Sequence, residues 1–400
     1  MTSVQKILLA ALVLVFAFGA WLRITPSTKF LGLGFDENYY RLYLSILEGK
    51  GLSAYPLVAQ AYEEAQKEMP LAVIPPMRAT FLTTGYLWHR LFGTGSLVSL
   101  RAAGCMFTIL TLAVTAIFIW RMAGLGASLA VTALMSCAPL QIQMSQRIYI
   151  DGVFAFWSLL VLWMLWETLR SPSHRGWLAA YGLSLALMVM TKENAAFVFI
   201  AILGVIGLNR WLQIGTVTPS LLVVTILGPA LGVLGLVIAA GGLGTLIEVF
   251  KINVEKSSTL AYAIKTGDGP WFRYALDFLM MSPLVTLFAV AAIFNPGQQD
   301  KRWSYFTVFV LFSYVIMANI KYGLNLRYAT IWDMPLRYLA YSQLVVLSSL
   351  VPRKYSGIVL GTSVAVLCLC DLAHYHIFFI EGGMYDPIPE PMLRLLNVIK

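Results

Sequence analysis

Measured against the ~20 residues a helix needs to cross the hydrocarbon of a bilayer, this chain carries about eleven apolar runs. They lie at 6–25, 98–120, 125–145, 152–169, 176–191, 195–209, 219–240, 276–294, 304–320, 337–351 and 356–373. Hydrophobic residues make up 59% of the 400 and charged residues only 12%, about half the charged share of an ordinary soluble domain. A soluble core could not hide that much apolar side chain, whereas a bilayer can. The expected fold is an all-α polytopic membrane protein of about eleven spans. Residues 7–22 have the length of a signal-peptide core, but Ala17 and Gly19 offer only a weak cleavage site, so the expectation is a retained span.

Orientation follows from Lys and Arg in the short loops. With the N-terminus in the cytoplasm, the cytoplasmic loops hold Lys6, Arg121, Arg170, Arg175, Arg210, Lys301, Arg302, Arg353 and Lys354, against only Glu167 and Asp300. The net charge of +9 is then mostly a topology signal, which argues against a nucleic-acid partner. The expected location is the plasma membrane of a bacterium or archaeon, with chemistry on the outer face. Cys105, Cys137, Cys368 and Cys370 all sit in apolar runs without CxxC or metal-ligand spacing.

Two outer segments are too long to be plain connectors. The first, 26–97, contains helix-like stretches at 37–48, 57–69 and 78–92, broken by Pro70 and the Pro75–Pro76 pair. Tyr40, Tyr43, Leu44 and Leu47 fall on one face of the first, and aromatic amphipathic helices of this kind lie along membrane surfaces. The second, 241–275, is polar and holds the turn cluster Gly267–Asp268–Gly269–Pro270. The division expected is a catalytic multi-span domain over 1–373 and a short outer tail over 374–400.

Ionisable groups at span ends are costly unless they serve a site, and those here gather on one face. Asp36 and Glu37 follow the first span, Arg147 and Asp151 the third, Lys192 and Glu193 the fifth, and Arg327 the ninth. Each follows an odd-numbered span, so topology alone brings them together. Each also has an ordinary reading: Asp36 could cap the helix starting at Glu37, and Arg147 with Asp151 could be an i,i+4 pair worth only ~0.3–0.5 kcal/mol. Lys192–Glu193–Asn194 could be a polar turn, and Arg327–Tyr328 an interfacial anchor. Together they offer more: a carboxylate can deprotonate an acceptor hydroxyl, while Arg and Lys can hold a phosphate leaving group. The chain has no P-loop and no Asp-x-Asp, which disfavours nucleotide-driven chemistry.

The order of these features (a span, Asp36–Glu37, a long loop with Pro75–Pro76, a second span entered through Arg101, then Arg147-x-x-x-Asp151) resembles the GT-C membrane glycosyltransferases. The likeness is strongest to their protein mannosyltransferase (family 39) and aminoarabinose transferase branch, and is clearest over 31–200. Lys192 in Met190–Asn194 and Arg327–Tyr328 in Asn325–Tyr328 also resemble positions of that branch. The resemblance implies an inverting transfer of sugar from a polyprenyl-phosphate donor to a protein, lipid or glycan acceptor. By position, Asp36 is the expected base, with Glu37 and Asp151 as catalytic neighbours. Arg327, Lys192, Arg147 and Arg78 are the expected holders of the donor phosphate, and Glu193, Tyr40 and Tyr328 the expected substrate contacts. The sequence requires no cofactor; some relatives bind a divalent cation near the acidic pair, and His374 and His376 beside Asp371 and Glu381 offer a second, weaker metal candidate. This chain departs from the branch in having Ile74 where a basic residue usually precedes Pro-Pro, with Arg78 close by, and in lacking a large soluble domain after the spans. The alternative is a transporter or flippase, which would carry ionisable groups near the midplane and paired halves. A third reading is an assembly protein using the acidic first loop as a docking surface.

Overall fold

A computed structural model describes residues 2–25, 33–69, 73–257, 259, 264, 267–295, 300–320, 323–384 and 394–395. Residues 26–32 and Pro70 of the first outer loop, and most of the tail after 384, lie outside the described residues. Among those described the fold is helical, without strands.

The first span, α1 (Ser3–Ile24), is followed by three loop helices: α2 (Phe35–Lys50), α3 (Tyr55–Glu68) and α4 (Ala79–Phe92). The bundle continues with α5 (Ser96–Ala123), α6 (Leu125–Ser136), α7 (Pro139–Gln146), α8 (Ile150–Arg170), α9 (Arg175–Val189), α10 (Ala195–Leu212) and α11 (Pro219–Ala240). A helix α12 (Leu243–Ser257) comes next, then α13 (Arg273–Met281), α14 (Pro283–Ile293), α15 (Lys301–Met317), α16 (Asp333–Ser349) and α17 (Arg353–Tyr375). Each expected span coincides with a helix or a broken helix. Six are long and apolar enough to cross a membrane alone: α1, α5, α8, α10, α11 and α17 with its continuation to Glu381. The pair α6–α7 makes a seventh if taken as one span bent by 58°. The helices at the other four positions are shorter or, at α13–α14, interrupted by Ser282–Pro283. The chain is an integral membrane protein.

Two devices pack the bundle. Pro139 at the start of α7 has no N–H to continue the helix, so the carbonyls at the end of α6 lose their partners. Arg23, 2% exposed at the end of α1, fills the gap by donating to the carbonyls of Met135 (2.9 Å), Ser136 (3.2 Å) and Gly19 (2.9 Å). Between α9 and α11, small residues let the backbones approach, as membrane helices do without a hydrophobic drive. A Cβ on Gly232 would stand 2.6 Å from the Ala186 carbonyl oxygen. Deeper in the bundle Arg337 on α16 joins Asp333 (2.6 Å) and Asp371 on α17 (2.6 Å) and donates to the Leu134 carbonyl.

The loop helices turn back onto the end of this bundle. On α2 the expected face is the buried one: Tyr40, Tyr43, Leu44 and Leu47 are all 5% exposed or less. The irregular Val73–Pro76 segment that follows α3 has carbonyls that no helix uses. Three tyrosine hydroxyls take them: Tyr43 donates to Ile74 (2.6 Å), Tyr55 to Pro76 (2.6 Å) and Tyr62 to Val73 (3.3 Å). Burial raises the phenols of Tyr43 and Tyr55 and pushes Tyr62 up to about 12, so all three remain donors at any ordinary pH. The start of α4, just beyond this segment, is tied to the bundle by Thr80, whose N–H reaches the Met190 carbonyl (3.1 Å) and whose hydroxyl reaches that of Leu187 (3.1 Å).

Candidate functional site

The odd-numbered-span residues do converge. Asp36 Oδ2 accepts from Arg327 Nη1 at 2.9 Å, and Arg327 Nε stands 4.0 Å from Asp151 Oδ2. Lys192 Nζ lies 2.5 Å from Asp151 Oδ1. A carboxylate–guanidinium–carboxylate–ammonium chain thus links α2 in the loop after the first span, the 3-10 turn Leu326–Trp332, the start of α8 and the turn before α10. The cations also rest on rings: the Arg327 guanidinium lies 4.8 Å from the Tyr149 ring centre, and the Lys192 ammonium 3.7 Å from that of Tyr328. Burial pulls the Lys192 ammonium below its usual pKa even with Asp151 beside it, and raises the Tyr328 phenol.

Arg78, at the foot of the tyrosine-held segment, forms a second pair. Its two terminal nitrogens meet both oxygens of Glu193, at 2.5 and 2.8 Å. Burial works against its charge, but Glu193, with Tyr40 and Asp151, outweighs that and raises the guanidinium above its ordinary value. Tyr40, 1% exposed, packs edge-on against Phe81 at 5.4 Å and lies within the field of Arg78, Asp36, Asp151 and Glu193.

Glu37 belongs to a different cluster. Its side chain is fully buried and accepts from the Ile148 N–H (3.0 Å), the Gly34 N–H (2.8 Å) and Arg147 (3.4 Å), with Arg101 at 3.8 Å. This corrects two expectations. Asp36 does not cap the helix: α2 starts at Phe35 behind Gly34, and Glu37 reaches back to that cap while Asp36 turns to Arg327. Nor are Arg147 and Asp151 an i,i+4 pair. Arg147 is extended, at the end of α7, and α8 begins only at Ile150, so no shared helix face exists. Arg147 faces Glu37 instead, and Asp151 takes Lys192 and Arg327.

An apolar cavity of about 520 Å³ opens beside this cluster, between α10, α11 and α12. Its lining is hydrophobic except for Lys192, Glu193 and Asn253, and Pro75 and Met77 form part of its wall. Hydropathy could not foretell it, because apolar residues surround every helix. The tyrosine clamp was also missed; its only signal is the seven-residue spacing of Tyr55 and Tyr62 on one helix face.

No metal donor set forms from the candidates. Among the described residues no three His, Cys, Asp or Glu gather. The four carboxylates of the two clusters each face a cation, and His374 bonds the Cys370 carbonyl while Asp371 faces Arg337.

A multi-span helical bundle whose first long loop folds back to join carboxylates and cations at span ends is a fold of the GT-C class. The chain resembles the protein mannosyltransferase and aminoarabinose transferase branch of that class: the family described as dolichyl-phosphate-mannose-protein mannosyltransferase matches residues 75–248. Among solved structures, the oligosaccharyltransferase of Archaeoglobus fulgidus in complex with Zn and sulfate is similar, with TM-score 0.62 and 14% identity over 95% of this chain and 53% of that one. The same organism's AglB, in complex with an inhibitory peptide and a dolichol-phosphate, has TM-score 0.60 and 13% identity, covering 97% and 57%. ArnT of Cupriavidus metallidurans bound to undecaprenyl phosphate has TM-score 0.56 and 14% identity, covering 94% and 75%. The chain therefore spans little more than half the length of the archaeal enzymes. No curated protein sequence matches it.

Proposed function

We propose that the chain is a glycosyltransferase of GT-C type, moving a sugar from a polyprenyl-phosphate donor to an acceptor on the non-cytoplasmic face, with inversion. The observation that carries this reading is the apolar cavity whose polar end is Lys192 and Glu193, beside the Asp36–Arg327–Asp151–Lys192 chain. Such a cavity suits an isoprenoid tail, and the cations suit its phosphate. That similar folds hold dolichol-phosphate or undecaprenyl phosphate supports the choice of donor.

In the step proposed, an acceptor hydroxyl gives its proton to Asp36 and its oxygen bonds the sugar's anomeric carbon. The bond from that carbon to the phosphate oxygen breaks, and its electron pair leaves with the lipid phosphate. Lys192, Arg327 and Arg78 hold the phosphate; a guanidinium does so with two parallel bonds. Asp36 suits the base role because its side chain is 22% exposed, against 3% for Asp151 and none for Glu37. Asp151 sets Lys192 and Arg327, Glu37 and Arg147 fix α2, and Tyr40 and Tyr328 shape the site. Residues 1–373 form the catalytic domain on this reading, with 374–400 a short tail.

The test is transfer from short-chain polyprenyl-phosphate sugars by the purified protein. Asp36→Asn is expected to lower the rate about 10²–10⁴-fold. A wild type inert with every donor, or a full-rate Asp36→Asn, overturns the reading; transport of lipid without transfer would favour a flippase.

A further inference from the structure

The Arg78–Glu193 pair is the most lopsided of the three pairs that link the site, the Arg327–Asp36 pair standing at 9% and 22% exposure. The guanidinium side chain is 6% exposed and its partner carboxylate 37% exposed, while Lys192 and Asp151 are both at 3%. The cation is fixed in the protein and the anion stands at an opening. That opening is the cavity: Glu193 lines it, as do Pro75 and Met77 just before Arg78. The pairing is the two-toothed kind that a phosphate reproduces, oxygen for oxygen. The cluster is also already balanced, Arg78, Lys192 and Arg327 facing Asp36, Asp151 and Glu193. An arriving phosphate therefore adds uncompensated negative charge unless one carboxylate withdraws. Asp151 is buried between two cations and Asp36 is not on the cavity wall. Glu193 alone borders both the cavity and a phosphate-type cation.

We propose that Glu193 is a stand-in anion: it occupies the fork of Arg78 while the site is empty and is displaced from it by the donor's phosphate. The inference rests on the polyprenyl-phosphate reading above. It also assigns Glu193 a part in release. The donor is a phosphodiester of charge −1, whereas the lipid phosphate left behind is a monoester of about −1.5 to −2 at neutral pH. The product binds the cations more strongly than the donor does, and a returning Glu193 lowers the apparent affinity for it, which helps the tighter-held product to leave.

The experiment uses the full chain in detergent, with a short-chain polyprenyl phosphate and the matching neutral polyprenol as probes. Glu193→Gln is expected to bind the phosphate about tenfold tighter, a difference of about 1.4 kcal/mol, and to bind the polyprenol as wild type does. Arg78→Gln is expected to weaken phosphate binding, and in the double variant the gain from Glu193→Gln disappears. Equal or weaker phosphate binding by Glu193→Gln, or an equal gain for the polyprenol, overturns the proposal. A second measurement needs no variant: in wild type with bound polyprenyl phosphate, Arg78 and Glu193 should separate beyond about 4 Å, the reach of an ion pair. A pair still closed around its bound lipid overturns the stand-in role alone. A wild type that binds no polyprenyl phosphate overturns the donor reading and this inference with it.

Discussion

At the scale of single residues, partner choice decides what each charge can do. Asp151 is the hinge of the cluster, touching Lys192 at 2.5 Å and Arg327 at 4.0 Å. Removing one partner of a buried pair leaves the other charge uncompensated, at a cost of about 3–5 kcal/mol. Asp151→Asn should therefore lower the melting temperature in detergent and weaken polyprenyl phosphate binding together, whereas Asp36→Asn should spare stability and strike the rate. Thermal unfolding beside a binding titration separates the two outcomes. The membership of this cluster was legible in the sequence, since counting spans puts Asp36, Asp151, Lys192 and Arg327 on one face. The pairings were not. Adjacent helix residues point ~100° apart, so whether Asp36 or Glu37 meets Arg327 depends on how α2 is rotated. That rotation is set by the buried contact of Glu37 with the Ile148 N–H, 111 residues away.

Among elements, the Val73–Pro76 segment shows how irregular backbone is held at a site. Its carbonyls are claimed by Tyr43, Tyr55 and Tyr62 rather than by a ladder. Tyr55→Phe removes one hydroxyl and leaves the Pro76 carbonyl with the Arg78 N–H alone, the loss of one hydrogen bond worth about 0.5–1.5 kcal/mol. We expect a modest fall in melting temperature and a rise in the donor KM, with kcat little changed, because the segment carries Pro75 and Met77 of the cavity wall and leads into Arg78. Steady-state kinetics against donor concentration checks this. The helices themselves were readable from hydropathy and from breakers such as Pro75–Pro76. Their bends were harder to read: the 58° break between α6 and α7 falls at Pro139, inside an apolar run that hydropathy alone takes as one span. The cavity between α10, α11 and α12 was hidden for the same reason, being lined by the same residue types that face lipid elsewhere.

Across the whole molecule, charge is spent sparingly. Arg337 pairs with Asp333 on its own helix and with Asp371 on α17, and the second of these contacts cross-links two helices. The same holds for Arg23, and its position in the chain has a consequence for biogenesis. Its acceptors at Met135 and Ser136 lie 112 and 113 residues further on. During synthesis the first span therefore enters the bilayer with a guanidinium whose destination has not yet been made, and settles only once the broken span has arrived to receive it. Arg23→Leu should insert the first span readily yet lose the late docking step. The expected signature is normal membrane targeting with increased proteolysis of the finished chain, read by pulse-chase; an unchanged lifetime would dismiss this order of assembly.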